Sequence, residues 1–249
     1  MEERAFLSKS TFIRGLQCEK SLYLHKKRPY LRDRLSEEQL AKFARGHKLG
    51  VIARQLFPGG VDLSPPSHFQ MGAAIKKTAA LISEGLPVLY EAAFQHQGVR
   101  VALDILVQEQ GQWKGVEVKS SRAVSDTFLW DAALQYYVIS GSGLPLEQFS
   151  IAYVLSDAIP GYVVEDPVDP HELFVMHDVL DEVRTRQQHV AKLIGRFKEV
   201  SNMTKSPGIP VGPHCTDPYP CDFIGHCWKN IEEGPRGKIP SGGDSGAFE

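Results

Sequence analysis

Residues 99–119 limit what this chain can become more than any other stretch. They read V-R-V-A-L-D-I-L-V-Q-E, then Q-G, then Q-W-K-G-V-E-V-K, two runs dense in β-branched and large apolar side chains around a glycine-bearing pair. Such runs joined by a short Gly turn are predicted to pair as an antiparallel hairpin. With Gln110-Gly111 as a two-residue turn, facing positions carry numbers that add to 221, which sets Asp104 directly across from Glu117. Side chains alternate along a strand, so Lys119 joins Glu117 on one face while Val116 and Val118 take the other. A register slip of one residue would scatter the three; a slip of two would keep them on that face. Ala102, Leu103, Ile105, Leu106, Val116 and Val118 make both strands read as buried on both sides. Two acids and a lysine in such a hairpin need a reason, because charge taken out of water must be paired or put to use. The bland alternative is an exposed, ion-paired surface.

Around the hairpin the hydrophobic period changes. Residues 8–30 read as a helix ending before Pro29. Ser36 and Gln39 form a capping box ahead of a second helix that runs to Pro58, with apolar or small positions at 40, 43, 44, 51 and 52. Residues 60–67 are loop by composition, and Met71 to Ile82 form another amphipathic helix closed by Gly85 and Pro87. Residues 88–95 are predicted to be the strand before the hairpin. A helix over 126–140, a strand over 149–155 and a long helix over 171–200 follow it. Residues 201–232 form an irregular segment bearing Pro and Cys, and 233–249 a Gly- and Ser-rich flexible tail. The order implies one α/β domain over residues 1–232, a mixed central sheet with helices on both faces.

Composition adds boundaries. With 249 residues, 42% of them hydrophobic and 23% charged, the chain has material for one large core. No run approaches the roughly 18 apolar residues that a membrane span needs, and the charged start lacks a secretory apolar stretch, so a cytoplasmic location and no membrane partner are expected. A net charge of -2 favours no partner, but Lys20, Lys26, Lys27, Arg28, Arg32 and Arg34 are opposed only by Asp33 over residues 20–34. A phosphate backbone would be drawn to that run; a solvated helix face is the plain alternative. Cys18 stands alone, and Cys215, Cys221 and Cys227 are spaced by five residues. In a reducing compartment clustered thiols bind metal more often than they form disulfides.

Paired carboxylates on neighbouring strands suit Mg²⁺ or Mn²⁺, ions that retain open positions for water and a phosphate oxygen. A nearby lysine can orient that water or neutralise charge on phosphorus. His47 falls on the apolar stripe of the 36–57 helix, near Phe43, Ala44 and Val51, and is expected to face inward.

The pattern Asp104…Glu117-Val118-Lys119 resembles the PD-(D/E)XK nuclease superfamily, with Leu103 where the family often has proline. The resemblance implies a restriction-endonuclease-like fold, with Asp104 and Glu117 as metal ligands and Lys119 as a catalytic group. In the RecB-like branch a histidine on an earlier helix also binds the metal, a role that falls to His47 and tilts preference toward Mn²⁺. That branch carries Gln-x-x-x-Tyr on the helix after the lysine. Gln135 matches, but Ile139 stands at the tyrosine position, which leaves Tyr137 as a candidate contact to nucleic acid. Glu91 matches an acidic position near the metal site in related nucleases, and a surface glutamate is its plain alternative. One early cysteine and a late trio are similar to the iron–sulfur RecB-type nucleases, including CRISPR-associated exonucleases and the AddB nuclease domain. This implies that Cys18, Cys215, Cys221 and Cys227 hold a [4Fe–4S] cluster, clipping the N-terminal helix to the C-terminal segment. Zinc is the rival, with His214 and His226 as alternative ligands. The resemblance implies a DNA-cleaving exonuclease on single strands. A DNA-binding module without activity and a zinc-stabilised structural protein are the alternatives.

Overall fold

The computed structural model describes residues 7–65, 67, 70–155 and 169–229; the tail predicted over 233–249 lies outside them. The chain forms an α/β fold around a seven-stranded mixed sheet flanked by helices. The strands are β1 (Leu7–Ser8), β2 (Val61–Asp62), β3 (Val88–His96), β4 (Val99–Glu109), β5 (Gln112–Lys119), β6 (Gln148–Val154) and β7 (Phe174–Asp178). They lie in the order β2-β3-β4-β5-β6-β7, with β1 added alongside β4. β3, β4 and β5 are the antiparallel meander expected from the sequence. β6 joins β5 in parallel through helix α5 (Asp126–Gly141), as a crossover requires.

The hairpin has the predicted register. Gln110 at φ 52° and Gly111 at φ 78° make the two-residue turn, whose twist matches that of the strands it joins. Ile105 accordingly faces Val116 and Leu106 faces Gly115. The β4–β5 ladder stops at Ile105 and Val116. Beyond it β5 stays with β6, while the same side of β4 takes up β1 only at Val99 and Arg100. Residues 101–104 of β4 therefore have no ladder partner on that side. The sheet is forked there, and the fork holds the candidate site.

Two clusters fill the core. The larger joins Leu103, Leu106 and Phe149 of the sheet to Phe12, Leu22, Leu134 and Phe197 of the helices α1 (Lys9–Gln17), α2 (Glu19–Lys27), α5 and α8 (Gln187–Asn202). The smaller, around Ile105 and Val116, packs under Leu49 and Ile52 of α3 (Glu37–Ala53). Helix α1 lies close to α8 because Gly15 has no side chain: a Cβ there would sit 2.8 Å from the ring of Phe197. Gly15→Val is expected to cost about 2–3 kcal/mol, read as a lower urea midpoint at unchanged slope. An unchanged midpoint would show that α1 is free to shift.

Three expectations are corrected. The helix predicted over 8–30 is two helices with β1 ahead of them, broken at Cys18, which is extended at φ −164° and ψ 115°. Leu7 and Ser8 are strand because β4 leaves an edge open beside them. The loop over 60–67 contains β2, paired in parallel with β3. The long helix over 171–200 is a short turn α6 (Pro170–Leu173), then β7, α7 (Leu180–Thr185) and α8. β7 covers the outer edge of β6, and that pairing outweighs the helical period of its sequence. Helix α4 (Met71–Ser83) stands as predicted. Of the segment predicted irregular over 201–232, the described residues 203–229 are largely irregular, with a 3₁₀ turn at Pro213–Cys215 and the short α9 (Ile224–Cys227).

Candidate active site

Asp104, Glu117 and Lys119 meet at the fork. Lys119 Nζ lies 2.8 Å from Glu117 Oε1 and 2.5 Å from Asp131 Oδ2 on α5, and 5.3 Å from the centre of the Phe128 ring. The Asp104 carboxylate accepts the Val118 N–H at 2.6 Å, where the β4–β5 ladder would otherwise have continued. A side chain has taken over a backbone bond, which lets the strands part without leaving that donor bare. Glu91 belongs to the same row. In β3, Tyr90 faces Ile105 and Ala92 faces Leu103, so Glu91 stands opposite Asp104. Its φ is 55°, a left-handed conformation inside a strand that a non-glycine residue adopts at a cost of about 1–2 kcal/mol. Three carboxylates thus sit abreast on three adjacent strands.

The electrostatics divide them. Burial works against a charged Glu117, but Lys119 and then Lys9 outweigh it and hold the carboxyl well below its usual range. Among the described residues Asp104 forms no ion pair, and the charges of Lys9 and Lys119 only partly offset its surroundings. Burial, then the charge of Glu117, push its carboxyl up to about 7. Burial also raises Glu91, with Lys9 opposing and Glu117 reinforcing the shift. Over this row lies α5, which presents Asp131 and Gln135 one turn apart. Gln135 is fully buried, and its proximity helps to keep Glu117 low. Yet both Gln135 amide atoms and Asp131 Oδ1 are buried without a hydrogen-bond partner among the described residues. Orphaned polar atoms of this kind need an explanation.

Two members of the site were not expected from the sequence. Lys9 opens α1 and reaches Glu117 with both oxygens in range, at 3.0 and 3.1 Å. Asp131 anchors Lys119. The Ser8–Thr11 capping box fixes where α1 starts. That local signal places Lys9 on a helix but says nothing of a partner 108 residues away.

Other expected residues are elsewhere. His47 does not face inward: it is exposed, as are Phe43 at 60%, Val51 at 48% and Leu40 at 52%. The buried side of α3 is carried by Leu49, Ile52 and Ala53 instead. Helix α3 touches the sheet only with its last turns, so its earlier apolar residues meet no core. Tyr137 donates to Gln97 at the β3–β4 turn and lies against His96, away from the carboxylates, while Ile139 is core. Lys20 turns from the basic run toward Ile209 and the cysteines. Lys26, Lys27 and Arg28 are exposed at the end of α2.

All four cysteines line one pocket with Ser21, Ile209, Pro210 and Phe223. None is in a disulfide. Cys18 sits at the head of α2, where the Ser21 and Lys20 N–H groups support its sulfur, and Cys221 Sγ lies 3.3 Å from Ser21 Oγ. Burial raises the Cys18 and Cys227 thiols, and the neighbouring sulfurs raise them further. Gln17 binds the carbonyls of His214 and Tyr219, and Arg14 pairs with Asp222 at 2.6 Å, so α1 is tied to the pocket wall. Among the described residues no three His, Cys, Asp or Glu side chains are already gathered into a metal-holding group.

No protein-family profile matches the chain, and no curated protein does. Among solved structures, the chain is similar to that described as "Crystal structure of SSO0001", at 11% identity and a TM-score of 0.33, over 81% of this chain and 78% of that one. A likeness this distant carries no argument. Among the described residues no helix is long and apolar enough to cross a membrane.

Proposed function

We propose that this protein is a metal-dependent nuclease of the restriction-endonuclease-like, RecB-related type, cleaving DNA as a single-strand exonuclease. The observation that carries the reading is the row Glu91–Asp104–Glu117 at the fork, with Lys119 wedged between Glu117 and Asp131. The donor set fits Mg²⁺ or Mn²⁺: Asp104 and Glu117 would hold the ion, with Glu91 beside them. Such ions need only one or two protein carboxylates and fill their remaining positions with water and phosphate. When bound, the ion supplies an acidified water and charge stabilisation at phosphorus. His47, exposed on α3, is left out of this set.

The chain's own groups do the rest. Lys119, fixed by Asp131 on one side and Glu117 on the other, holds a positive charge at the mouth of the fork. Burial works to lower its pKa, but Asp131, Glu117 and Asp104 raise it above the usual lysine range, which favours its charged form. Gln135, with both amide atoms spare, can receive a polar ligand from above the row. A substrate path is supported by α3, whose exposed Leu40 and Phe43 stand among Lys42, Arg45 and Lys48. Aromatic and apolar surface for bases beside cations for the backbone suits a single strand. The four-cysteine pocket, with its shared electrostatics, supports a [4Fe–4S] cluster as a structural clip.

The deciding experiment incubates anaerobically purified protein with labelled DNA and Mn²⁺, blocking each end of the strand in turn. Wild type is expected to degrade the strand from one free end, and Lys119→Met to be slower by about a thousand-fold or more. Undiminished cleavage by Lys119→Met would remove this site as the catalyst. Salt-sensitive DNA binding without any cleavage would favour a binding module of the same fold.

A further inference from the structure

Lys9 enters the fork from the side that β5 vacates. β1 runs parallel to β4 with Ser8 beside Arg100, and the next residue opens α1 and points its stem along the unpaired stretch of β4 toward Glu117. Its ammonium reaches Glu117 Oε1 at 3.0 Å and Oε2 at 3.1 Å. Glu117 is 3% exposed, while the Lys9 side chain is 26% exposed. Lys119 engages Oε1 of Glu117, and its other ion pair is with Asp131. One lysine is therefore locked between two acids. The other straddles a single carboxylate, is partly open to solvent, and sits on a flexible four-carbon stem.

We propose that Lys9 is a positioning residue: an internal cation that holds both oxygens of Glu117 in the place a divalent ion would use, and so sets how tightly that ion binds. The inference rests on the metal-site reading above. A dication on Glu117 and an ammonium astride the same two oxygens repel each other, so ion binding moves Lys9 off at least one oxygen. Lys119 cannot make the same move, because Asp131 would lose its partner inside the protein. Lys9 thereby keeps the carboxylate ordered before the ion binds and opposes that binding at the same time.

The test titrates Mn²⁺ alone, without DNA, into the full chain by calorimetry, for wild type, Lys9→Gln, Lys9→Arg and Asp104→Asn. Lys9→Gln is expected to bind Mn²⁺ about tenfold tighter, because a competing charge is gone. Lys9→Arg is expected to bind it more weakly than wild type, because a guanidinium grips both carboxylate oxygens as a fork. Opposite shifts in the two variants are something a merely structural ion pair would not produce. Equal or weaker binding by Lys9→Gln, with circular dichroism showing it folded, overturns the proposal. Should Lys9→Gln fail to fold, Lys9→Arg decides, and unchanged affinity there overturns it. If wild type binds Mn²⁺, Asp104→Asn does not, and the Lys9 variants match wild type, only the role of Lys9 falls. If neither wild type nor Lys9→Gln takes the ion, the metal site falls with it.

Discussion

Asp104→Asn is expected to lose metal-dependent cleavage by about a thousand-fold or more, and yet to melt higher than wild type in metal-free buffer at pH 8. The two effects have one cause. Burial and then Glu117 push the Asp104 carboxyl from its ordinary 3.8 up to about 7. A folded-state pKa above the unfolded value means that the native protein binds this proton more tightly than the unfolded chain. The associated stability is complete below about pH 3.8 and is lost as pH rises through about 7. At pH 8 wild type therefore holds an ionised Asp104 against Glu117, and asparagine removes that charge while its amide oxygen still accepts the Val118 N–H. After discounting for water at a partly exposed group, the gain is about 1–2 kcal/mol, or roughly 3–6 °C. Near pH 4 it should shrink toward nothing. Mn²⁺ should raise the melting point of wild type and leave the variant unmoved. Thermal melts at pH 4 and pH 8, with and without the ion, check all of this. A variant less stable than wild type at pH 8 would mean that Lys9 and Lys119 stabilise the ionised Asp104 by more than burial and Glu117 oppose it.

Cys215→Ser is expected to have the largest effect on folding. The four cysteines line one pocket but come from residues 18 and 215–227, so a group bound by all of them would close a loop of nearly the whole chain. Closures of that length are worth about 3–5 kcal/mol, and the ligand–metal bonds add to this. Wild type purified without oxygen should be brown and contain iron and sulfide. The serine variant should be pale, depleted in both, and melt at least about 8 °C lower. Serine matches cysteine in shape, so lost packing alone would cost far less than this. A colourless wild type with one zinc per chain would end the cluster reading and favour a zinc clip.

The part of the site that is local in sequence was legible. Gln110-Gly111 set the hairpin register, and the register put Asp104 beside Glu117, because a two-residue turn and a two-residue side-chain period leave no freedom. The helix with the capping box, α3, began where that signal placed it, and α5 stands where its helical pattern was read. What depended on distant neighbours was not legible. β1 and β7 are strands of two and five residues that exist because an edge of β4 or β6 lay open beside them. The inward face of α3 was misread because its apolar period is real, yet only Leu49, Ile52 and Ala53 find a sheet to cover. His47 followed Phe43 outward for the same reason. Lys9 and Asp131 were missed because a lone lysine and a lone aspartate announce nothing until the fold supplies their partners.

Helix α1 has a mechanical consequence. Its nine residues span roughly 13 Å, and a helix that short behaves as a rod. One end carries Lys9 on the Glu117 carboxylate; at the other, Arg14 and Gln17 grip the loop bearing Cys215 and Cys221, and Cys18 follows directly. Gly15 and Phe12 seat the middle against Phe197, which serves as a fulcrum. A displacement of the sulfur pocket is therefore expected to move the rod as one piece, with only the flexible stem of Lys9 between that movement and the carboxylates.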